Sequence, residues 1–249
     1  MTQLPGDLLQ HPKYPRASRY DPQWVMSNAM GPNVLWLTEW LVDAMDLRPG
    51  MRVLDMGCGR ALSSVFLAKE FGVEVWATDL WTKPTENWGR IREAGVDGQV
   101  FPIHAEAHQL PFAQGFFDAA LSMDAYQYFG TDNLYLSYFA RFVKPGGQIG
   151  IVVPGLVQEF EKLPEHLAPY WEPDYSCFHS PAWWRRHWER SGQVEVSLAD
   201  LLEDGWRDWL RWEEASSEKN YPSGPKEMEM LRVDAGRNLT FVRVVGRVS

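Results

Sequence analysis

Asp55-Met56-Gly57-Cys58-Gly59 places a carboxylate just ahead of two closely spaced glycines, and a second acid, Asp79, follows 24 positions after the first. The glycines lack Cβ atoms, so the backbone there can turn sharply and approach a ligand closely. A dinucleotide turn follows G-x-G-x-x-G/A, its third small residue packing helix on strand. Gly57, Gly59 and then Leu62 leave that pattern incomplete. The D-x-G-x-G pattern fits without a gap. An acid at its head suits a ligand with cationic groups and no pyrophosphate, such as S-adenosylmethionine with its ammonium and sulfonium. Asp79 stands near the offset, roughly 20 residues, at which an acid meets a ribose diol. A carboxylate there can accept two hydrogen bonds from vicinal hydroxyls. The plainer role for a strand-end Asp is to cap the next helix.

These residues need strands and helices to hold them. Met51 to Leu54 form a short apolar run after the Pro49-Gly50 break, and Val65 to Ala68 crowd an apolar stripe after the turn. That reads as strand, glycine turn and helix, closed by Gly72. Val73–Asp79 reads as a second strand, Pro84–Ala94 as a helix stopped by Gly95, and Val100–Ala105 as a third strand. Phe117–Asp124 and Gln148–Val153 are further strands, separated by an expected helix over Thr131–Val143 and a stop at Lys144-Pro145-Gly146-Gly147. Upstream, Asn33 caps an amphipathic helix over Val34–Met45, with Glu39, Asp43 and Asp46 on one face. Strands and helices alternating at these lengths imply a parallel sheet covered on both faces.

The two flanks differ in character. Residues 1–32 hold Pro5, Pro12, Pro15, Pro22 and Pro32 with Tyr14, Tyr20 and Trp24. Such proline density opposes a long regular element, leaving a loosely packed arm or a lid. Residues 154–180 form a long aromatic connection. Ser180-Pro181 then starts a helix that carries Trp183, Trp184 and Trp188 and ends at Gly192. Val194–Leu198 is a sixth strand, Gly205–Glu218 and Lys226–Val233 are helices, and Asn238–Val248 is the last strand.

Composition narrows the function classes. The chain has 249 residues, enough for one large α/β domain with an elaborated cap. A formal net charge of -9 disfavours a nucleic-acid backbone partner, which needs a basic surface. Cys58 and Cys177 cannot build a disulfide framework or a four-cysteine zinc site, so no metal is expected. There is no signal peptide and no apolar run of 18 residues, so a cytosolic (cytoplasmic) protein off the membrane is expected. The oligomeric state stays open.

The motifs, taken in order, resemble the class I S-adenosylmethionine-dependent methyltransferases, in particular the small-molecule branch. The resemblance covers roughly residues 33–155 and rests on several features. They are the Asp55-x-Gly57-x-Gly59 turn, Asp79, the Glu106-Ala107 to Leu110-Pro111-Phe112 loop, the Phe117-Asp118 strand and the Lys144-Pro145-Gly146-Gly147 turn. It implies a Rossmann-like seven-stranded α/β sheet, six strands parallel and the last antiparallel, helices on both faces and a helical, aromatic cap. It implies S-adenosyl-L-methionine as cofactor, S-adenosyl-L-homocysteine as product and a small-molecule acceptor. Gly57 and Gly59 would line the methionine half, with Asp55 near the ammonium directly or through water. Asp79 would hold the ribose hydroxyls, Leu80 and Trp81 would pack by the adenine, and Glu106 with the Ala107 backbone would bind its amino group. Ser122 and Met123 would offer backbone groups at the amino-acid end. Arg60 and Ala61 depart from the family, which commonly has a small polar residue and a Gly there.

Methyl transfer from a sulfonium needs alignment and a dry pocket more than a strong acid, and aromatic faces suit the cation. Tyr126 and Tyr128 follow the fourth strand, near the expected methyl position, and Tyr20, Trp24 and Trp206 are cap candidates. His108, beside Glu106, is the best-placed base, with His179 second. One domain, 1–249, divides into an arm and cap helix (1–46), a cofactor-binding core (47–155) and acceptor-side elements with the last two strands (156–249). Arg60 and the lack of an obvious base leave a non-catalytic binding or scaffold module as the rival. An NAD-linked oxidoreductase is disfavoured by Leu62.

Overall fold

A computed structural model describes residues 7–217 and 225–249. Pro5 and Glu218, named above, lie outside the described residues. Two helices come first, α1 (Pro22–Asn28) and α2 (Val34–Val42). Asn33 caps α2 as expected, its side chain accepting from Leu35 N and Trp36 N. Then come β1 (Arg52–Met56), α3 (Leu62–Phe71), β2 (Glu74–Asp79), α4 (Pro84–Glu93), β3 (Val100–His104) and β4 (Phe117–Met123). Next are α5 (Gln127–Gly130), α6 (Tyr135–Phe139), β5 (Val143–Leu156), α7 (Pro181–Glu189), β6 (Val194–Leu201), α8 (Gly205–Ser217), α9 (Pro225–Asp234) and β7 (Leu239–Val248).

The strands form one seven-stranded sheet in the order β3-β2-β1-β4-β5-β7-β6. Pairs β1·β2, β1·β4, β2·β3 and β4·β5 are parallel, while β7 runs antiparallel between β5 and β6. Six strands therefore share a direction and the last opposes them, as the resemblance implied. The chain leaves β1 for β2 on one side and returns to β4 on the other. Open α/β sheets bind ligands at such a reversal, beyond the carboxyl ends of the strands.

Both faces of the sheet are buried, which explains the near-continuous apolar strands. Val53, Val75 and Leu121 point into the core under α2 and α3, whereas Leu54, Ala120 and Ile149 point into the core under α6 and α7. Trp184 and Trp188, at opposite ends of one helical turn of α7, are fully buried in that second core. Ser180 accepts from Trp183 N and fixes the start of α7, and Pro181 occupies the first turn.

Three expectations are corrected. The helix expected over Thr131–Val143 is broken into α5, α6 and a 3-10 turn at Ala140–Phe142. Short aromatic segments pack around Tyr126 and Tyr135 there, and that packing overrides helical periodicity. The Lys144-Pro145-Gly146-Gly147 stop lies inside the long β5, beside a register shift against β4 between Phe117 and Ala119. The acidic face of α2 divides: Asp43 and Asp46 lie exposed just past the end of the helix, whereas Glu39 is 1% exposed. Its carboxylate accepts from Arg16 N at 3.0 Å and Ala17 N at 2.7 Å, docking the arm on α2.

The arm is accordingly packed, with Leu8, Leu9, Tyr14 and Ala17 buried. Trp212 Nε1 on α8 donates to Gly31 O at 3.0 Å and holds the end of the arm. Replacing Glu39 by Gln trades two charge-assisted acceptors for one neutral one. Glu39→Gln should lower stability by about 1–3 kcal/mol in chemical denaturation. Hydrogen exchange should quicken in residues 8–20 first. Uniform loosening of the whole sheet would show that Glu39 does not anchor the arm.

Candidate functional site

The carboxyl ends of β1, β2 and β4 open onto a cavity of about 360 Å³. The glycine turn forms its floor. Gly57 and Gly59 both take positive φ, 74° and 51°, and Gly57 N and Cys58 N donate to Thr78 O at 2.8 and 3.1 Å. A Cβ on Gly57 would stand 2.4 Å from Ala125 Cβ, so only glycine fits between β1 and the end of β4. Ala61, where the family commonly has Gly, is itself left-handed at φ 63°, just before α3.

Asp79 ends β2 at the cavity wall and is 7% exposed. One carboxylate oxygen accepts from Gly59 N at 2.9 Å; the other accepts from Trp81 N and Thr82 N, both at 2.8 Å. The acid does not cap α4, whose N-cap is Lys83; it braces the glycine turn and the loop after β2 while facing the cavity. Leu80 and Trp81 follow it along the wall, 46% and 76% exposed. Exposed apolar surface of this kind marks ligand-binding grooves.

Glu106, Ala107 and His108 supply the next part of the lining. His108 N donates to Glu106 Oε2 at 2.8 Å, and His108 Nδ1 lies 2.8 Å from Glu106 Oε1. That pairing with His108 holds the Glu106 carboxyl below its ordinary range. From β4 come Met123, Asp124 and Ala125, then Tyr128 and Phe129; Trp81 and Tyr128 rings face each other at 6.4 Å. The arm closes the remaining side with Asn28, Met30, Gly31 and Pro32.

Not every expected residue reaches the cavity. Gly57, Gly59, Asp79, Leu80, Trp81, Glu106, Ala107, His108, Met123 and Tyr128 line it together. Asp55 does not. It is wholly buried beneath the turn, where one oxygen accepts from Ser63 Oγ at 2.6 Å and Ser64 Oγ at 2.5 Å. Burial pushes its carboxyl up to about 6 against those two donors. Its other oxygen accepts no hydrogen bond among the described residues. Ser122 is buried and donates to Met56 O at 2.7 Å, tying β4 to β1 behind the turn. Tyr126 is buried too, wedged among Phe129, Tyr135, Phe139, Trp184 and Trp188, so its hydroxyl faces no acceptor molecule. Tyr20 and Trp24 line a separate groove against α3 and α4. Trp206 covers Gly236, and His179 stacks on Trp183 at 3.6 Å and pairs with Glu159.

Sequence reasoning missed Asp124, and it offered the arm over residues 1–32 as a lid without naming the residues at its end that line the cavity. Asp124 ends β4 as Asp79 ends β2, so the same strand-end rule would have found it. Nothing in Met30-Gly31-Pro32 marks it as lining.

Asp124 holds an unusual environment. Its φ is 53°, and Gly31 packs so close that a Cβ there would stand 2.7 Å from Asp124 Oδ2. Burial first, then Glu227 and Glu213, lift its carboxyl to about 8. Glu227 is lifted to about 7 by burial and by Glu213. With Asp55 near 6, three folded-state carboxyls bind protons more tightly than the unfolded chain does. The stability they give is complete below the ordinary carboxyl range, about pH 4, and is lost as pH rises through those folded values. Thermal melts should therefore fall from pH 5.5 towards 8.5, and Asp124→Asn or Glu227→Gln should flatten the slope. Asp118 and Asp234 act oppositely, below the ordinary range, because hydrogen bonds overcome burial there. A melting temperature that climbs across this window would contradict the three raised carboxyls.

Comparison with known proteins places these features in a family context. A family model described as a methyltransferase domain matches residues 53–147, the stretch from β1 into β5. The methyltransferase GfsG of Streptomyces halstedii is 28% identical over 116 residues, 46% of this chain and 42% of that protein. This chain thus matches less than half the length of GfsG. A demethylmenaquinone methyltransferase of Listeria welshimeri is 27% identical over 194 residues, 72% of this chain and 79% of that one. Geranyl diphosphate C-methyltransferase of Streptomyces coelicolor, solved with S-adenosyl-L-homocysteine, shares the fold at a TM-score of 0.66. It is 19% identical and the match covers 86% of this chain and 78% of that one.

Proposed function

We propose that this chain, a class I S-adenosylmethionine-dependent methyltransferase, transfers a methyl group to a small-molecule acceptor bound beside Asp124, Tyr128 and Phe129. One observation carries the reading: a single cavity at the sheet reversal gathers the glycine turn, the β2 acid and the Glu106-Ala107 loop. The residues suit the cofactor. Gly57 and Gly59, both at positive φ, present the backbone of the turn to the cavity, and Asp79 stands at its wall. Bound there, S-adenosylmethionine supplies an electrophilic methyl group on a sulfonium.

The chain's own residues then divide the work. Gly57 and Gly59 lie against the methionine half. Asp55 acts from below, braced by Ser63 and Ser64, and sets the field of the turn without touching the ligand. Asp79 has one lone pair of Oδ2 left for a ribose hydroxyl after Gly59 N. Leu80 and Trp81 cover the adenine, and Glu106 and the Ala107 backbone meet its amino group. Met123 offers backbone at the amino-acid end, with Ser122 holding β4 in place. Trp81 and Tyr128 stand across the mouth with their rings 6.4 Å apart, placed to cover a bound ligand from water, which an in-line displacement needs. Tyr126 supports Phe129 from within the core. Residues 47–155 form the cofactor core, and residues 156–249 with the 1–46 arm form the acceptor side.

Calorimetry on the folded chain tests the binding half: S-adenosylmethionine and S-adenosylhomocysteine should both bind in the micromolar range. A methyl-transfer assay against a metabolite library tests the rest. Silence in calorimetry with either ligand would overturn the reading; binding without turnover of any acceptor would favour the scaffold alternative.

A further inference from the structure

We propose that the acceptor is an uncharged molecule with an apolar body. Its reacting end enters the cavity, and its body lies outside on a shelf made by Met30, Leu80, Trp81 and Tyr128. This rests on the methyltransferase reading and names the acceptor class for the same site.

Exposed apolar surface concentrates at this cavity. Among the described residues seven large apolar or aromatic side chains are exposed, and four of them line it, from 46% exposed for Leu80 to 76% for Trp81. The four come from three parts of the fold: the end of the arm, the loop after β2, and α5. They are joined across the mouth. The Trp81 and Tyr128 rings lie 6.4 Å apart, and Met30 Sδ lies 3.8 Å from Thr82 Oγ1, one residue beyond Trp81. Met30 is seated by its sulfur, which packs so close to Gly59 that a Cβ there would stand 3.0 Å away. Its thioether chain is flexible enough to follow an apolar partner of irregular shape. Apolar surface left in water costs free energy at each of these places, and a patch beside a groove marks what the groove receives.

Size points the same way. The cavity holds about 360 Å³, near the low end of the roughly 300–1,000 Å³ that a pocket for one small ligand takes. Cofactor and acceptor must share it, so much of the acceptor lies over the rim. Trp81 can serve both ligands, because an indole has two faces and an adenine covers one.

The lining also selects against anions. Asp79, Glu106 and Asp124 face the cavity, against the bases Arg60 and His108 among the described residues. Arg60 Nη1 already donates to Ser27 O at 3.2 Å, and His108 Nδ1 pairs with Glu106 at 2.8 Å. A carboxylate or phosphate on the acceptor would enter a lining where acids outnumber bases. Pro32, Val34 and Phe129 continue the wall with apolar surface. An uncharged apolar body avoids the cost of taking a charge out of water without a partner.

Calorimetry on the full chain saturated with S-adenosylhomocysteine tests this, with 4-alkylphenols from methyl to hexyl as probes of the body rather than of the attacked atom. Affinity should rise about two- to fourfold with each added methylene, and at least about 30-fold across the series. The 4-alkylbenzoates of equal length, anions at neutral pH, should bind at least about tenfold more weakly. Met30→Gln and Tyr128→Gln put polar ends on two separate parts of the shelf, and each should cut the gain from methyl to hexyl about threefold or more. That gain is a ratio within one loaded protein, so a change common to the whole series drops out. A flat phenol series on loaded wild-type protein overturns the proposal. So does an unchanged gain in both variants, or a benzoate series that matches the phenols. A flat series together with retention on phosphatidylcholine vesicles overturns it in favour of a lipid surface as the occupant of the shelf. Failure of S-adenosylhomocysteine to bind wild-type protein would instead strike the underlying methyltransferase reading.

Discussion

Asp79→Ala should weaken S-adenosylhomocysteine binding by at least about 100-fold, because the loss combines a ribose contact with a change of shape. In the unliganded chain the Asp79 carboxylate already accepts from Gly59 N, Trp81 N and Thr82 N. It therefore ties the glycine turn of β1 to the β2 end and sets the path of Leu80 and Trp81. Alanine leaves three amides without their acceptor in a region that is nearly closed to water. The expected cost to stability is about 2–4 kcal/mol. Asp79→Asn separates the two roles. It keeps the side-chain volume and one acceptor oxygen for Trp81 N and Thr82 N but sets an NH2 against Gly59 N, so it should cost less stability than alanine, about 1–2 kcal/mol, while losing about tenfold or more in affinity. If Asp79→Ala is folded by circular dichroism and binds S-adenosylhomocysteine normally in calorimetry, Asp79 is a turn acid and nothing more.

Asp79 also shows what was readable from sequence and what was not. Its place at a strand end is local: apolar run, acid, proline-started helix. The same holds for Gly57, Gly59 and the Asn33 and Ser180 caps, where a residue's own backbone chemistry fixes its role. The strands were legible because both sheet faces are buried and the runs are continuously apolar. Side-chain direction was not legible. Asp55 turns under the loop because Ser63 and Ser64 on α3 offer two donors there, and no spacing rule distinguishes that from facing the ligand. Tyr126 and Tyr128 sit only two residues apart. One is swallowed by Trp184 and Trp188 from α7, far along the chain, while the other stays 59% exposed at the cavity mouth. The same non-local packing broke the helix expected after residue 131. Glu39 looked solvated because the arm that covers it carries no periodic signal, only backbone amides at residues 16 and 17.

Gly57→Ala should be the most damaging single-methyl addition at the site, costing about 2–4 kcal/mol of stability and most of the cofactor affinity. Two independent penalties meet there. The backbone is left-handed at φ 74°, which costs an L-residue with a Cβ about 1–2 kcal/mol. The new methyl would also stand 2.4 Å from Ala125 Cβ, an atom fixed to its own backbone and unable to swing aside. Gly57 cannot retreat either, since its N–H is bonded to Thr78 O at 2.8 Å and ties the turn to β2. The two terms can be measured apart. Ala125→Gly removes the obstructing methyl but leaves the dihedral, so the Gly57→Ala/Ala125→Gly double variant should recover the steric part only. A coupling energy of about 1–2 kcal/mol in that cycle is expected, with the residue attributable to φ. Coupling near zero would mean that β4 gives way freely at Ala125. The cavity wall that carries Asp124 would then be softer than a site built for alignment requires.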